Sequence, residues 1–281
     1  MRSRPASPEF DTLADELEQR FGRGVETTWS DADFEALAAR VFRHQFGHNR
    51  VYRSFCERRG VTPDTVVGWE DIPTVPTLAF KRLDLISVDR EAEAVFRTSG
   101  TTQGAGNRGS HSVPRLSLYR AALIEPFRAH LMSGVTGRMP FVSLIPSVVQ
   151  LPDSSLSFMV SAAADELATE THWLVGCDGA LDVDALRAVA DQTAGDGEPI
   201  LLLGTALSFV NALERLGTRG LTSLSEGSRI FETGGFKGHG RAVSRAELYD
   251  AIAAATGVPS SHIVNEYGMT ELLSQLYEPV L

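Results

Sequence analysis

The sequence of 281 residues has only two cysteines, Cys56 and Cys177, and neither lies in a CxxC motif or a Cys/His cluster. Two thiols cannot form a disulfide framework, so we expect reduced cysteines and a cytoplasmic location. Long hydrophobic runs are also missing. The longest, such as residues 199–203, are far shorter than the roughly 20 apolar residues of a membrane span. No apolar run follows residues 1–5, so no signal peptide is predicted.

Positive charge is scarce as well. The chain has 26 Lys and Arg against 36 Asp and Glu, which gives a net charge of −10. Sequence-independent binding to nucleic acid depends on Lys and Arg against phosphate, so we expect no nucleic-acid partner. A local basic pocket for a single nucleotide is compatible with this balance. Hydrophobic residues at 43% and charged residues at 22% are typical of a globular protein with one large domain or two ordinary ones.

Several common catalytic motifs are absent. The sequence has no GxxxxGK[ST] and no GxSxG, which excludes a P-loop NTPase and a nucleophile-elbow hydrolase. Residues 104–109 formally match GxGxxG, but a dinucleotide fingerprint opens a helix directly. Here residues 110–114 intervene before the next predicted helix at Leu116. We therefore interpret these glycines as the tail of the preceding loop.

The N-terminal part, residues 1–90, is predicted to be helical. Apolar residues recur at helical spacing from Phe10, a second helix begins at Ser30 or Asp31, and a third covers residues 49–59. His44 and His48 are four residues apart and could share a helix face as metal ligands. Because no third ligand accompanies them in the sequence, a packed or solvated pair is the preferred interpretation.

The remaining residues, 91–281, are predicted to form the core domain. An extended connector at residues 69–77, a short helix at 80–85 and a strand at 92–96 lead into it. Apolar strands then alternate with amphipathic helices. The strands are 141–145, 171–175, 199–203, 229–231 and 263–264, and the helices are 116–132, 154–167, 183–194, 206–216 and 244–255. This alternation predicts an α/β fold with a parallel sheet covered by helices on both faces.

Three segments are candidates for ligand binding. In residues 98–102 four of five side chains carry a hydroxyl and the fifth residue is Gly100, a composition that suits a phosphate-binding loop or an ordinary surface loop. Residues 231–241 combine four glycines with Lys237 and two other basic residues. They form an open basic loop, or a glycine-rich turn with solvated charges. Residues 265–271 offer an aromatic ring, a hydroxyl and a carboxylate, although a Thr-Glu pair is also typical of a helix cap.

Two of these segments resemble motifs of the adenylate-forming superfamily, which includes acyl-CoA synthetases and peptide-synthetase adenylation domains. The motifs are Thr98-Ser99-Gly100-Thr101-Thr102 and Tyr267-Gly268-Met269-Thr270-Glu271. The longer strings at 232–238 and 265–272 are similar to the LuxE-type acyl-protein synthetase branch. Residues 72–76 resemble that branch and the phenylacetate-CoA ligases, and the likeness covers roughly residues 70–277.

The resemblance implies ATP-dependent activation of a carboxylic acid, here a fatty acid, as an acyl-adenylate. The acyl group then passes to a thiol on a protein cysteine or on coenzyme A, and Mg²⁺ neutralises the phosphates. A phenylacetate-type acyl-CoA ligase is one alternative. A non-catalytic subunit that binds a nucleotide or an acyl group is another. A separate C-terminal subunit or an acyl reductase is implied as a further partner.

The resemblance also implies roles for particular residues. Thr98, Ser99, Gly100, Thr101 and Thr102 would hold the phosphates. Gly234, Gly235 and Phe236 would border the adenine and the acyl pocket, and Tyr267 would lie against the adenine. Gly268 is counted with them as a cofactor-binding residue. Catalytic roles fall to Thr270 at the α-phosphate and to Lys237 as a point charge. Glu271 would be the Mg²⁺ ligand.

The sequence departs from the superfamily pattern in two places. Gln103 stands where a glycine usually follows the two threonines, and Arg108 is the nearest basic residue. The sequence stops at Leu281, before the expected ribose-binding aspartate and the small C-terminal domain with its catalytic lysine. Neither cysteine matches the acyl-accepting cysteine of LuxE-type enzymes. We therefore expect this chain alone to bind ATP or AMP, with weak or absent adenylation.

Overall fold

The computed structural model describes residues 8–98, 108–176, 178–234 and 243–278. The chain folds into two compact units, Met1–Ala122 and Leu123–Leu281. The domain boundary expected after residue 90 stays a prediction.

The first unit begins with three helices, α1 (Pro8–Phe21), α2 (Asp31–His48) and α3 (Arg50–Glu57). The predicted start of α2 is confirmed, because the Ser30 hydroxyl accepts a hydrogen bond from the Asp33 backbone N–H at 3.1 Å. Asn49 caps α3 in the same way, through the Tyr52 backbone N–H at 2.9 Å. Phe42, Tyr52 and Cys56 form the buried centre of this unit.

The connector after α3 contains two short 3₁₀ turns, Trp69–Asp71 and Thr77–Lys81. The helix predicted at residues 80–85 is wrong in extent, because the second turn ends at Lys81 and shares only residues 80 and 81 with it. The Tyr52 hydroxyl donates to the Pro73 carbonyl at 2.8 Å and so ties the connector to the helices. Burial raises the pKa of the Cys56 thiol, although Tyr52 and Arg59 oppose this effect, so Cys56 is a packed and unreactive cysteine.

An antiparallel hairpin, β1 (Ala94–Arg97) with β2 (Ser110–Val113), completes the first unit before α4 (Leu116–Leu131) begins. The sequence predicted β1 but not β2. Residues 110–113 pair with β1, with Phe96 opposite His111. The GxGxxG match is thus followed by a strand and not by a helix, which agrees with its exclusion as a dinucleotide fingerprint.

Arg115 joins the start of α4 to α1, and its removal should destabilise the protein. Its side chain is 18% exposed and lies 2.6 Å from Asp15 Oδ1 and 2.7 Å from Glu18 Oε1. We expect Arg115→Met to lower the free energy of unfolding in urea by about 1–2 kcal/mol, because two carboxylates lose a partly buried partner. Arg128→Met is the control, since Arg128 is 43% exposed and 3.7 Å from Glu125. Equal losses in both variants would contradict this prediction.

The second unit is built on a six-stranded sheet in the order β4-β3-β5-β6-β7-β8. All neighbouring strands are parallel except β7 and β8, which are antiparallel. The strands are β3 (Met139–Ser143), β4 (Ala168–Trp173), β5 (Leu201–Thr205), β6 (Arg229–Thr233), β7 (Ile263–Gly268) and β8 (Gln275–Tyr277). The helices after α4 are α5 (Ser155–Leu167), α6 (Val183–Asp196), α7 (Ala206–Leu216) and α8 (Arg245–Thr256). The predicted α/β class with a parallel sheet is confirmed.

The core of this unit explains why the apolar strand prediction succeeded. Leu202 and Ile230 of neighbouring strands are buried in one cluster with Leu186, Phe209 and Ile252 from three helices. Such strands have no polar face, as expected for a parallel sheet. Among the helices of the described residues, none is long and apolar enough to cross a membrane.

Candidate functional site

The carboxyl ends of the parallel strands meet at one edge of the sheet, where ligands bind in open α/β folds. Gly234 follows β6 at this edge, and Tyr267 and Gly268 end β7. Thr270 and Glu271 lie in the turn between β7 and β8. The structure therefore brings these five predicted site residues to a single edge. One detail is corrected: the strand expected to stop at Val264 continues to Gly268, so Tyr267 and Gly268 belong to the strand.

Two buried carboxylates lie at the ends of β6 and β7. The strand register places Glu232 beside Asn265 and Thr233 beside Glu266. Asn265 Nδ2 donates to Glu232 Oε2 at 2.6 Å, and the Thr233 hydroxyl makes a short hydrogen bond to Glu266 Oε2. The two glutamates are 3% and 5% exposed. Each carboxyl group thus has a specific neutral partner on the adjacent strand.

Burial controls the protonation of both groups. It raises the pKa of Glu232, against hydrogen bonds from Asn265 and Tyr249 that lower it. Burial also raises the pKa of Glu266 to about 7, with the neighbouring Glu232 adding to this effect and Thr233 opposing it. This edge therefore contains a carboxyl group that is partly protonated at neutral pH.

The side chain of Glu266 also lies close to the glycine at 268. A Cβ atom on Gly268 would overlap Glu266 Oε1, since that side chain lies over the glycine backbone. The group that approaches the Gly268 backbone closely is thus the carboxyl group of Glu266. From the sequence, Gly268 is assigned only to cofactor binding, and that assignment stays a prediction.

Thr270 links the turn between β7 and β8 to the start of α5. Its hydroxyl lies 3.1 Å from the hydroxyl of Ser155, the first residue of α5. The turn that holds Thr270 contains Leu273 at φ 48°, a conformation that costs energy for a residue with a side chain. The hydroxyl of Thr270 is therefore positioned by a strained turn on one side and by a helix start on the other.

Tyr267 and Gly234 lie at the ends of two neighbouring strands, and both positions are open. The Tyr267 side chain is 55% exposed, although its hydroxyl lies 3.7 Å from Met269 Sδ. Gly234 has φ 82°, and no atom of the described residues, its chain neighbours apart, lies within 4 Å of the position that a Cβ would occupy. A residue with a side chain would be strained there and would fill this space.

Thr98 belongs to the first unit, at the end of the β1–β2 hairpin. Its backbone N–H donates to the Gly109 carbonyl, and its hydroxyl accepts from the Gly109 N–H, both at 2.9 Å. Arg108 Nε donates to the Thr98 carbonyl at 2.7 Å. These contacts close the base of the segment between Thr98 and Arg108. The other predicted site residues, Ser99, Gly100, Thr101, Thr102, Gly235, Phe236 and Lys237, lie outside the described residues.

Sequence reasoning missed the polar residues that surround the predicted ones. It quoted Glu232, Asn265 and Glu266 only as parts of motif strings, and it gave Ser155 no role. A usable signal was present, because an acidic residue inside an otherwise apolar strand is unusual and calls for a partner. The identity of each partner depends on the strand register, which spacing alone does not supply.

A cavity of about 420 Å³ lies elsewhere in this unit, beside the end of β3 and the first turns of α7. Its lining, taken over the part of the chain that the structure describes, includes none of the predicted site residues. The lining residues are Leu144, Val175, Gly179, Ala180, Leu181, Ser208, Asn211, Glu214 and Arg215.

The fold is that of an α/β protein with a mostly parallel sheet, and the predicted site residues that the structure describes in this unit lie at the carboxyl ends of its strands. A family model described as "Acyl-protein synthetase, LuxE" matches residues 29–279. The chain belongs to this LuxE family of acyl-protein synthetases.

Individual relatives agree with the family. A long-chain-fatty-acid–luciferin-component ligase of Vibrio harveyi is 28% identical over 195 residues, which are 67% of this chain and 50% of that protein. A ligase of the same name from Photorhabdus luminescens is 38% identical over 66 residues, 23% of this chain and 56% of that sequence. The chain spans about half the length of these curated relatives.

Solved structures with a similar arrangement include ATP-bound MatB from Rhodopseudomonas palustris. Its TM-score is 0.47 at 17% identity, over 81% of this chain and 40% of that one. O-succinylbenzoate coenzyme A synthetase (MenE) from Bacillus subtilis, in complex with AMP, has a TM-score of 0.40 at 16% identity. That match covers 76% of this chain and 37% of the other.

Proposed function

We propose that this chain binds ATP and takes part in the activation of a long-chain carboxylic acid as an acyl-adenylate. The observation that supports this most directly is the position of Tyr267, Thr270 and Glu271. All three lie at the carboxyl-end edge of the sheet, in a chain that belongs to the LuxE family. The fatty-acid class of substrate follows the name of the Vibrio harveyi relative.

The residues at the edge have the chemistry that the nucleotide requires. The exposed ring of Tyr267 and the open space at Gly234 suit the two faces of a purine. Thr270 presents a hydroxyl that can donate to an α-phosphate oxygen. Glu271, half-buried in the same turn, offers the hard oxygen ligand that Mg²⁺ prefers. Bound Mg²⁺ would neutralise phosphate charge, while the protein side chains orient the ATP.

The hydroxyl-rich segment 98–102 and Lys237 are proposed to contact the phosphates and the reacting carboxylate. In this proposal the acyl acceptor is a thiol outside the described residues, on a protein or on coenzyme A. Cys56 does not fit that role, since it is fully buried and burial raises its pKa. A phenylacetate-type ligase would share the same edge, as would a subunit that only binds the nucleotide.

Two measurements on the purified chain test this proposal. Calorimetry with ATP and AMP should show binding at one site. Exchange of labelled pyrophosphate into ATP should depend on added long-chain fatty acid and not on phenylacetate. ATP binding without pyrophosphate exchange would support a subunit that only binds the nucleotide. Pyrophosphate exchange that depends on phenylacetate would support the phenylacetate-type ligase. Absence of ATP and AMP binding would overturn the assignment of the edge.

A further inference from the structure

The helices of the first unit bring together three side chains that can bind a metal, and none of the three belongs to the proposed nucleotide site. They are Glu9 on α1 and His44 and His48 on α2, and one ligand atom from each lies within 4.8 Å of the other two. His44 Nδ1 is 3.9 Å from Glu9 Oε1. The two imidazole rings are 4.4 Å apart between centroids. The sequence showed the two histidines one helical turn apart, but the third ligand comes from a different helix.

His44 is the unusual member of this cluster. It is 4% exposed, and neither of its ring nitrogens makes a hydrogen bond with a described residue. Burial lowers the pKa of His44, and the nearby Ser87 backbone opposes this effect without reaching hydrogen-bond geometry. Buried polar side chains are almost always satisfied, so an imidazole with two unpaired nitrogens needs an explanation. Neither nitrogen has a hydrogen-bond partner among the described residues, although the Glu9 carboxylate and the His48 imidazole lie nearby.

His48 has one ring nitrogen held by a backbone carbonyl, which leaves the other nitrogen available to a metal. Its Nδ1 lies 2.9 Å from the His44 carbonyl oxygen, and a carbonyl can only accept, so Nδ1 carries the proton. The lone pair of the neutral ring is then on Nε2. A hydrogen bond from one ring nitrogen to a carbonyl, which leaves the other nitrogen for the metal, is the usual support of a ligating histidine.

We propose that Glu9, His44 and His48 bind a divalent transition-metal ion, with Zn²⁺ the best match to this donor set, and that the ion joins α1 to α2. Two imidazoles and one carboxylate are a familiar zinc combination. Tetrahedral bonds of about 2.0–2.1 Å need ligand atoms about 3.4 Å apart, which a closing movement of roughly 1 Å would supply. Glu9 can make this movement because its side chain is 63% exposed. A fourth ligand position would face solvent.

The test uses the full chain without an affinity tag, after treatment with EDTA. We expect calorimetry with Zn²⁺ to show one site with a Kd of about 1 μM or below, and Zn²⁺ to raise the Tm. Co²⁺ should give the visible absorption of a tetrahedral site. The Zn²⁺ affinity and the Co²⁺ absorption should both weaken by at least about 10-fold in Glu9→Gln and in His48→Ala. Both positions are exposed, so these variants should still fold.

His172→Ala is the matched control, since His172 lies 3.6 Å from Glu170 on β4 as an ordinary surface pair. That variant should bind Zn²⁺ like the native chain. The proposal is overturned if the native chain binds Zn²⁺ no more tightly than about 100 μM. It is equally overturned if Glu9→Gln and His48→Ala keep the native affinity and the native Co²⁺ spectrum.

Discussion

Replacing Glu271 by glutamine is expected to reduce fatty-acid-dependent pyrophosphate exchange by about 100-fold, or about 2.7 kcal/mol in the barrier. The change removes one negative charge and the anionic oxygen proposed to bind Mg²⁺, and it keeps the size of the side chain. Its turn should survive, because the Leu272 N–H to Met269 carbonyl hydrogen bond of 3.0 Å involves only backbone. Exchange rates at saturating ATP measure the effect.

ATP binding provides a readout of the same variant that does not require turnover. In Mg²⁺ the native chain should bind ATP more tightly than Glu271→Gln. In EDTA the order should reverse, because the native carboxylate then repels the phosphates. Glu198→Gln is the control, since Glu198 is exposed and precedes β5 at the opposite edge of the sheet. Equal ATP affinities of the native chain and Glu271→Gln under both conditions would remove Glu271 from the site.

The fold was predictable wherever local pattern decides structure. The apolar run around Leu202 and the helical spacing around Leu186 predicted β5 and α6, since each must bury its apolar face. The strand ends were less accurate: β5 reaches Thr205, two residues beyond its predicted end. Strands β2 and β8 were missed because Ser110–Val113 and Gln275–Tyr277 have no apolar run. They are strands only because a partner strand lies beside them.

The motif predicted where the candidate site residues lie in the fold, but it did not predict their surroundings. Tyr267, Thr270 and Glu271 were found from a motif, and the parallel sheet brings them to the expected edge. The contact of Ser155 with Thr270 joins residues 115 positions apart, so no local pattern predicts it. For the same reason the sequence did not predict that Glu9 lies beside the two histidines of α2, because helix packing determines which side chains meet.

The buried acidic pair at the edge imposes a pH dependence on stability. Glu266 has a pKa of about 7 in the folded protein and an ordinary carboxyl pKa of 4.5 when exposed. The folded state therefore binds the proton of Glu266 more tightly than the unfolded state does. The stability that this proton contributes is complete at low pH and is lost as the pH rises toward 7 and beyond. Between pH 5 and 8.5 we expect Glu266 to cost about 2 kcal/mol of unfolding free energy.

Glu266→Gln should remove this loss, because glutamine resembles the protonated acid and its carbonyl can still accept from the Thr233 hydroxyl. The measurement is urea unfolding of the native chain and the variant at pH 5.5, 7 and 8.5. His44 and His111, whose pKa values burial lowers, change stability in the opposite direction with pH. Their contribution is common to both proteins, so the difference between variant and native chain reports Glu266 together with its charge interaction with Glu232.

The expected sign is specific: Glu266→Gln gains stability relative to the native chain as the pH rises, and the two approach each other near pH 5. Glu226→Gln serves as the control, since Glu226 is exposed and its variant should follow the native chain at every pH. A difference between Glu266→Gln and the native chain that stays constant from pH 5.5 to 8.5 would mean that Glu266 is ionised throughout. Its carboxylate would then be stabilised by the strand neighbours, and the edge would carry a fixed negative charge that opposes the phosphates of ATP.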